Sequence, residues 1–272
     1  MKSSFDLSFL FGSIMIECVK PAKGESFVYG HFAQFYDQLM TADYPAMAKY
    51  YLSVFARLEH APKLLLDAAC GTGQLTLALA ARGIEVIGVD VSPEMLSVAS
   101  QKAVEQGQNA LFLCQDVTKL DLYGTVDGIT CAMDSVNHLS GGDEVSAFFA
   151  KAALFLESGG LLLFDMNTVY KHRHVLGNHA FILEDEHVYC GWQNQYCEAD
   201  DSVEITLDFF EHREDGYLRS SACFVERAYP LAQIEELLRQ AGLAPAGVFD
   251  FGTFDPPKDD SERVLVAAKK IR

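Results

Sequence analysis

Acidic residues stand at the ends of three successive apolar runs: Asp67 in "LLLDAACGTGQL", Asp90 in "EVIGVD" and Asp116 in "LFLCQD". A carboxylate in such a position can accept hydrogen bonds from hydroxyl or amino groups, and it attracts positive charge. If the runs are parallel strands, their carboxyl ends meet at one edge of a sheet, where open α/β folds bind ligands. The three acids together predict a ligand site at that edge.

The segment after Asp67 has the glycine spacing of a nucleotide-binding turn but not its charge. Gly71 and Gly73 would let the backbone approach a ligand closely. Asp67 would repel a pyrophosphate, and Thr76 stands where the G-x-G-x-x-G motif has its third glycine. S-Adenosylmethionine fits this loop, because it is an adenosine with a sulfonium and an ammonium group in place of phosphates.

The other two acids support a nucleoside. Asp90 follows Asp67 by 23 residues, where a carboxylate can accept hydrogen bonds from both ribose hydroxyls. Asp116 could accept a hydrogen bond from an adenine amino group. NAD enzymes also bind ribose with an acid, so an NAD-dependent oxidoreductase remains the alternative at this point.

The elements that must position these residues alternate between strands and helices. Apolar runs predict strands over 63–69, 85–91, 110–116, 126–133 and 160–167, and helical patterns cover 74–82, 93–106 and 143–157. The second helix begins with Ser92 as an N-cap and Pro93 in its first position. Strands that alternate with helices in this way are typical of a parallel sheet.

The alternation of strands and helices changes after residue 167. Residues 180–229 contain three alternating, aromatic-rich runs separated by "ADD" and "EDG" turns, which predicts a small antiparallel meander. A helix over 231–242 follows, and strands near 246–251 and 263–269 are expected to form a hairpin at the edge of the main sheet. The sequence therefore predicts an α/β fold, Rossmann-like and doubly wound, whose mostly parallel seven-stranded sheet carries the inserted meander.

We divide the chain accordingly. Residues 1–28 form an N-terminal extension, 29–179 and 230–272 form the cofactor-binding domain, and 180–229 form the inserted substrate subdomain.

Composition excludes several classes of function. The net charge of −17 argues against nucleic-acid binding, because a polyanion needs a basic surface. No run approaches the ~20 apolar residues that span a bilayer, and the N-terminal segment lacks the features of a signal peptide. Seven cysteines without a CxxC pair are typical of reduced thiols, so we expect a cytoplasmic protein.

The motifs resemble those of the class I S-adenosylmethionine-dependent methyltransferases. "LLLDAACGTGQL" is similar to their first motif, "VIGVDVSPEML" to the second, "CQDV" to the third and "VDGITCAMDSVNHL" to the fourth. Ala69 stands where the family usually has glycine. "YGHFAQFYDQLM", "MDSVNHL" and "YCGWQNQYCEADDSVEI" resemble the YqeM-like branch of bacterial small-molecule methyltransferases. The insert is similar to those of sugar-amine and glycine-type N-methyltransferases.

The resemblance implies a role for each matching residue. Gly71 and Gly73 would line the methionine part of the cofactor, Asp90 would bind the ribose, Asp116 with Val117 would hold the adenine, and Met95 would pack against the adenosine. Tyr36 and Asp134 would lie near the methionine end and the acceptor. The complete set of candidate cofactor-binding residues is Asp67, Ala69, Gly71, Gly73, Asp90, Val91, Met95, Asp116, Val117 and Asp134.

The candidate catalytic residues are Asp134, His138 and Tyr36. Methyl transfer is an in-line displacement, so positioning supplies much of the catalysis; a neutral amine attacks directly, whereas a hydroxyl acceptor needs a base. Asp134 and His138 follow the fourth strand. His138 could instead cap local backbone. Tyr36 belongs either with Tyr29 and Asp37 to a lid over the cofactor, or with Tyr29 and Phe32 to an apolar helix stripe.

Two further groups have alternative interpretations. His172, His174 and His179 could suggest a metal, but no carboxylate or cysteine stands at ligand spacing beside them, so we expect no metal. Trp192 and Tyr196 share one face of a strand and either pack the sheet or form the wall of an acceptor pocket.

The sequence thus predicts an S-adenosylmethionine-dependent enzyme that methylates nitrogen or oxygen of a small molecule. Besides the oxidoreductase, the alternatives are a non-catalytic S-adenosylmethionine-binding protein and an RNA methyltransferase. For partners we expect a small-molecule methyl acceptor, neither nucleic acid nor membrane, and we allow for a homodimer.

Overall fold

The structure is a computed structural model that describes residues 32–40 and 42–271. The helices are α1 (Phe32–Leu39), α2 (Tyr44–Arg57), α3 (Gln74–Ala80), α4 (Pro93–Glu105), α5 (Gly142–Phe155) and α6 (Leu231–Gln240). Short helical turns occupy Val117–Lys119, Ser135–His138 and Lys171–Leu176. The proposed extension, residues 1–28, lies outside the described residues, as does Tyr29.

A seven-stranded sheet forms the centre of the molecule. Its strands are β1 (Leu64–Ala68), β2 (Glu85–Asp90), β3 (Leu111–Cys114), β4 (Val126–Cys131), β5 (Leu156–Asn167), β10 (Leu243–Asp250) and β11 (Arg263–Lys270). Their spatial order is β10-β11-β5-β4-β1-β2-β3. The first five strands are parallel, and the antiparallel hairpin β10–β11 completes the edge beside β5. The predicted fold class is confirmed.

Strand order reverses at β1, which has β2 on one side and β4 on the other. Chains that leave β1 and β4 therefore diverge and open a crevice at the carboxyl ends of these strands. Helices α2 and α3 pack on one face of the sheet around Tyr51 and Phe55, and α5 and α6 pack on the other around Phe148 and Phe149. Both faces are buried, as a parallel sheet requires.

Helix α4 begins as its sequence predicts. Ser92 is the N-cap, its Oγ accepts a hydrogen bond from the Met95 backbone N–H at 3.2 Å, and Pro93 occupies the first turn. Because this cap fixes where the helix starts, it also places Met95 directly beside the end of β2.

A second sheet is inserted between β5 and α6. It contains β6 (Ala180–Glu184), β7 (Val188–Cys197), β8 (Ser202–Arg213) and β9 (Gly216–Arg227), all antiparallel and in sequence order. The sequence predicted three strands here. It missed β6, whose five residues AFILE form an apolar run too short to show a clear alternation.

One face of the inserted sheet packs on the main domain. Val203, Ile205, Leu207 and Phe209 alternate along β8 and are buried with Leu39 of α1 and Met95 of α4. This packing brings the inserted sheet over the carboxyl edge of the main sheet, so the crevice becomes a cavity between the two sheets.

Candidate active site

A cavity of about 520 Å³ lies at the carboxyl ends of the parallel strands. Its volume is within the range of small-molecule sites. All the candidate cofactor-binding and catalytic residues except Gly73 line it: Tyr36, Asp67, Ala69, Gly71, Asp90, Val91, Met95, Asp116, Val117, Asp134 and His138. The topology therefore brings together residues that are spread over a hundred positions of the chain.

Asp67 is the penultimate residue of β1 and is 1% exposed. Its carboxylate accepts hydrogen bonds from the hydroxyl groups of Thr76, at 2.6 Å, and Thr130, at 2.9 Å. Thr76, which replaces the third glycine of the nucleotide motif, thus holds the aspartate in place. Burial raises the pKa of Asp67 to about 6.

The loop after Asp67 turns sharply through left-handed backbone. Ala69 has φ 55° and Gly71 has φ 53°, and both residues line the cavity. Only glycine adopts this region without cost, so the alanine at position 69 is a strained choice.

Gly73 is not among the residues that line the cavity. It precedes α3 with φ 76°, and a Cβ there would lie 2.8 Å from the Ala99 Cβ and 3.2 Å from the Phe112 ring. The geometry gives this glycine a packing function between α3 and α4. The expected contact with the methionine part of a cofactor stays a prediction.

Asp90 ends β2 and joins two segments of the site. Its carboxylate accepts the backbone N–H of Gly71 at 2.8 Å and that of Ser92 at 2.9 Å. Burial raises the pKa of Asp90, although these backbone hydrogen bonds oppose the shift. Within the described residues neither Asp67 nor Asp90 forms an ion pair, so a buried and a half-buried carboxylate meet at one cavity.

Asp116 is more strongly engaged by its neighbours. Its carboxylate accepts hydrogen bonds from the Thr118 backbone and hydroxyl, at 2.8 and 2.7 Å, and from Lys119 Nζ at 2.8 Å. Partial burial would raise the pKa of Asp116, but the hydrogen bonds from Lys119 and Thr118 outweigh it and lower the pKa. The carboxylate therefore caps a local turn while it lines the cavity beside Val117.

Asp134 lies at the centre of a charged network. Its Oδ1 is 2.7 Å from Arg263 Nη2, and its Oδ2 accepts a hydrogen bond from Asn167 Nδ2 at 2.5 Å. Burial alone would raise the pKa of Asp134, but Arg263 holds it below its ordinary value. The backbone of Asp134 is left-handed, with φ 52°, and its N–H donates to Asp165 Oδ1 at 2.9 Å.

Asp165 holds both Arg263 and the backbone of Asp134 in place. The carboxylate is fully buried on β5, 3.2 Å from Arg263 Nη1, and it accepts a hydrogen bond from the Tyr51 hydroxyl at 2.7 Å. Arg263 on β11 thus bridges two acids that come from β5 and from the segment after β4. Because Asp134 remains ionised and paired, it is better suited to position a ligand than to accept a proton.

His138 also lines the cavity. Among the described residues, its ring forms no hydrogen bond with the backbone, so it does not cap the local turn. Its Nε2 lies 3.6 Å from Glu226 Oε1, and its ring packs against Phe224 with centroids 5.2 Å apart. Both contacts come from β9 of the inserted sheet.

Helix α1, the first described helix of the chain, forms part of the cavity wall. Tyr36 lines it, and the neighbouring Asp37 accepts a hydrogen bond from the Thr72 hydroxyl at 2.7 Å and pairs with Lys102. Lys102 also donates to the Thr72 carbonyl at 3.0 Å. The helix is therefore fixed to the glycine loop, and its apolar side packs on the inserted sheet. The lid and the stripe interpretations both stay predictions.

The inserted sheet supplies the remaining wall. Trp192, Leu207, Phe224 and Glu226 line the cavity. Tyr196 does not; its hydroxyl bonds to Asp201 at 2.5 Å and accepts from Arg173 at 3.1 Å. The sequence considered Trp192 and Tyr196 together. The structure separates them: Trp192 lines the cavity, whereas Tyr196 bonds to Asp201 and Arg173 away from it.

Sequence reasoning missed Glu226, Arg263, Asn167 and Lys171, all of which line the cavity. The "FDMN" that ends β5 carried a signal, because a strand buried on both faces has no reason to contain Asp165 and Asn167 unless they are bonded. Glu226 gave only a weaker signal, one acid within an alternating run.

The three histidines after β5 are not brought together. His172 is fully buried, His174 stacks on Tyr170 with centroids 4.8 Å apart, and His179 Nδ1 bonds to the Val175 carbonyl at 2.9 Å. Among the described residues, the group that could hold an ion is a different one: Asp134, His138 and Glu226, with ligand atoms within 4.8 Å of one another. Arg263 and Lys171 already supply positive charge there.

Residues 65–160 match the sequence profile of a family described as "Methyltransferase domain". The chain is 34% identical over 247 residues to "Putative methyltransferase YqeM" from Bacillus subtilis (strain 168), an alignment that covers 90% of this chain and 98% of that protein. A solved structure of an S-adenosylmethionine-dependent methyltransferase from Clostridium acetobutylicum ATCC 824 superposes with a TM-score of 0.80 and 32% identity, over 89% of this chain and 98% of that one. This chain is an S-adenosylmethionine-dependent methyltransferase.

A third comparison concerns the fold alone. A SAM-bound amino pentose methyltransferase from Micromonospora echinaspora has a TM-score of 0.69 and 19% identity, over 88% of the methyltransferase described here and 96% of its own chain. Membership of the methyltransferase family excludes two of the alternatives that the sequence left open, an NAD-dependent oxidoreductase and a non-catalytic S-adenosylmethionine-binding protein.

The residues at the cavity fit S-adenosylmethionine. A sulfonium and an ammonium group need negative charge, and the buried Asp67 and the half-buried Asp90 are carboxylates without an ion-pair partner among the described residues. In water-excluded surroundings such carboxylates bind cationic and hydroxyl groups strongly. No helix in the described part of the methyltransferase has the length and apolarity needed to cross a bilayer.

Proposed function

We propose that this methyltransferase acts on a nitrogen or oxygen atom of a small molecule. The observation that carries the proposal is the wall of the cavity: one side consists of the strand ends of the main sheet, and the other of Trp192, Leu207 and Phe224 from the inserted sheet. A site enclosed in this way suits a small acceptor. A bulky RNA would need an open basic surface, whereas the net charge is −17.

We assign the cofactor to the side of the cavity formed by the main sheet. Asp90 would bind the ribose, Asp116 and Val117 the adenine, Met95 the face of the adenosine, and Asp67, Ala69 and Gly71 the methionine end. When bound, S-adenosylmethionine supplies a methyl group on an electron-poor sulfur, so that a well-placed acceptor needs little further activation. Tyr36, Asp134 and His138 would then border the place where cofactor and acceptor meet.

The test follows the methyl group. The protein is incubated with S-adenosylmethionine that carries a deuterated methyl group, together with either the small-molecule fraction or the RNA fraction of a bacterial extract. Mass spectrometry should find the label in a small molecule. Label in RNA and not in small molecules would contradict the proposal.

A pair of variants tests the acceptor wall. Trp192→Ala should slow labelling while leaving the dissociation constant of S-adenosylhomocysteine within about twofold, because the indole lies on the acceptor side. Tyr189→Ala is the control, an exposed aromatic residue of the same strand. Equal labelling rates in the two variants would show that the inserted sheet does not bind the acceptor.

A further inference from the structure

Glu226 is a buried carboxylate on the acceptor side of the cavity. It lies on β9 opposite Val203 of β8, is 5% exposed and lines the cavity together with Phe224. Asn167 Nδ2 donates to its Oε2 at 3.4 Å, and this contact is long. A carboxylate this deeply buried needs either a proton or a cation.

Charged and titratable groups face Glu226 from every element packed against it. They are Asp134 and His138 after β4, Lys171 and His172 after β5, and Arg263 on β11. Three carboxylates, those of Asp134, Asp165 and Glu226, meet the two cations Arg263 and Lys171. When all three acids are ionised, one negative charge is left over beside the cavity, and a cationic acceptor would neutralise it.

His172 presents an unpaired ring nitrogen to Glu226. Its Nδ1 lies 3.0 Å from the Asp201 carbonyl oxygen, and since a carbonyl only accepts, Nδ1 must carry the hydrogen. In the neutral ring, Nε2 then has a lone pair. This Nε2 is buried without a hydrogen-bond partner and lies 3.7 Å from Glu226 Oε2. A lone pair opposite an ionised carboxylate is repulsive, whereas one proton between the two atoms is attractive.

We propose that Glu226 and His172 share one exchangeable proton, and that Glu226 is the residue that takes a proton from an amine acceptor. This inference rests on the proposed function. Glu226 Oε1, on the side of His138, faces the acceptor, and Oε2 faces His172. His172 is a positioning residue, because it acts through Glu226 and does not line the cavity.

The reaction balances without any other reactant. An acceptor that arrives as an ammonium ion gives one proton to the ionised Glu226 and becomes a neutral amine. Its nitrogen lone pair forms the new bond to the methyl carbon while the carbon–sulfur bond breaks and leaves its electron pair on sulfur. The product leaves as a methylated ammonium ion, and Glu226 later returns its proton to solvent.

The class of acceptor follows from the wall around Glu226. Leu176, Trp192, Leu207 and Phe224 present apolar surface, and Glu226 supplies the acidic group among them. This arrangement fits a primary or secondary amine attached to an apolar or ring-shaped body. Burial and the nearby Asp134 raise the pKa of Glu226 to about 8, so the carboxyl becomes ionised only in mildly alkaline solution.

The first experiment needs no acceptor. Protein with ¹³Cε1-labelled histidine is saturated with S-adenosylhomocysteine and titrated by NMR, and the His172 resonance is assigned by its loss in His172→Gln. In the wild type, His172 should report a transition near pH 8. In Glu226→Gln the transition should disappear. Glu204→Gln is the control, an acid on the opposite face of the inserted sheet. An unchanged His172 transition in Glu226→Gln would overturn the shared proton.

The second experiment measures turnover as S-adenosylhomocysteine release with benzylamine, cyclohexylamine and N-methylbenzylamine, and with the matching alcohols. Amines should be turned over, with kcat/KM rising through about pH 8. Glu226→Gln should lower kcat by ~100-fold or more, the usual contribution of a general base. His172→Gln should move the transition to lower pH and retain kcat at high pH. Turnover of alcohols only, or a Glu226→Gln enzyme with wild-type kcat, would overturn the inference.

The outcomes separate this inference from the proposed function. If the protein labels a small molecule through oxygen, the proposed function holds and the inference fails. If no compound in the amine panel is turned over, the NMR titration of His172 decides whether Glu226 and His172 share a proton. The competing use of Asp134, His138 and Glu226 as a metal site predicts that EDTA abolishes turnover and that Mg²⁺ or Mn²⁺ restores it, and that result would also overturn the inference.

Discussion

Asp90 shows how one side chain can both shape a binding loop and contact a ligand. It bonds to the backbone of Gly71 and Ser92 and still offers free lone pairs to the cavity. We expect Asp90→Ala to weaken S-adenosylhomocysteine binding by about 2–3 kcal/mol, because charge-assisted hydrogen bonds in an enclosed site are lost. Isothermal titration calorimetry measures this directly.

The matched control for that variant is Asp127→Ala. Asp127 also accepts two backbone N–H groups, those of Lys63 and Leu64, both at 2.8 Å, but it lies at the opposite end of the sheet. This control should lose stability and keep its affinity. Equal affinities of the Asp90 and Asp127 variants would overturn the ribose assignment.

Ala69 carries backbone strain that a glycine would avoid. At φ 55° an alanine costs roughly 1–2 kcal/mol relative to glycine. Ala69→Gly should therefore raise the free energy of unfolding, and with it the urea midpoint. The more flexible unfolded chain of the glycine variant offsets about 0.4–1 kcal/mol of this gain. Ala81→Gly, at φ −61° after α3, should lower the midpoint instead. A lower midpoint for Ala69→Gly would show that the methyl group is needed for packing.

The buried Asp67 makes stability depend on pH. Its folded pKa of about 6 lies above its ordinary value of 3.8, so the folded state retains a proton that the unfolded state has already released. The free energy of unfolding must therefore fall as pH rises from about 4 to about 6. Asp67→Asn lacks this loss. Across that pH range its free energy of unfolding should therefore rise relative to that of the wild type by up to roughly 3 kcal/mol. Urea unfolding at several pH values measures the difference; a constant difference would contradict the assignment.

Strand β11 illustrates how an element far away in sequence completes the site. It delivers Arg263 to Asp134 and Asp165, one of them fully buried. Removing one partner of a buried ion pair leaves an uncompensated charge, so Arg263→Met should lower the free energy of unfolding by about 3–5 kcal/mol. Arg239→Met, which breaks an exposed pair with Glu235, should change it by less than about 1 kcal/mol. Similar losses in both variants would show that the network is not structurally important.

Local sequence pattern was enough to predict the elements that follow simple rules. The parallel strands, the Ser92 cap and the C-terminal hairpin all follow from apolar periodicity and turn chemistry. Strand β6 was missed because its short run becomes a strand only through pairing with β7. Glu226, Arg263 and Asn167 were missed because their roles arise from contacts between elements that lie 30 to 130 residues apart.

At the scale of the whole molecule, two sheets divide the work of the site. The main sheet gathers acids at its carboxyl edge, and the inserted sheet covers them with an apolar wall that contains one carboxylate, that of Glu226. Packing of the inserted sheet on α1 and Met95 couples the two parts, so binding at the strand ends should stabilise the entire fold.

The central claim is that this edge of the sheet binds S-adenosylmethionine, and thermal unfolding with S-adenosylmethionine, S-adenosylhomocysteine or NAD tests it most directly. A ligand at about 100 times its dissociation constant stabilises a protein by ~2.7 kcal/mol, which should raise Tm by roughly 5–10 °C in a chain of this size. We predict that shift with the first two ligands and none with NAD. A shift with NAD alone would contradict the account of Asp67 and of the site as a whole.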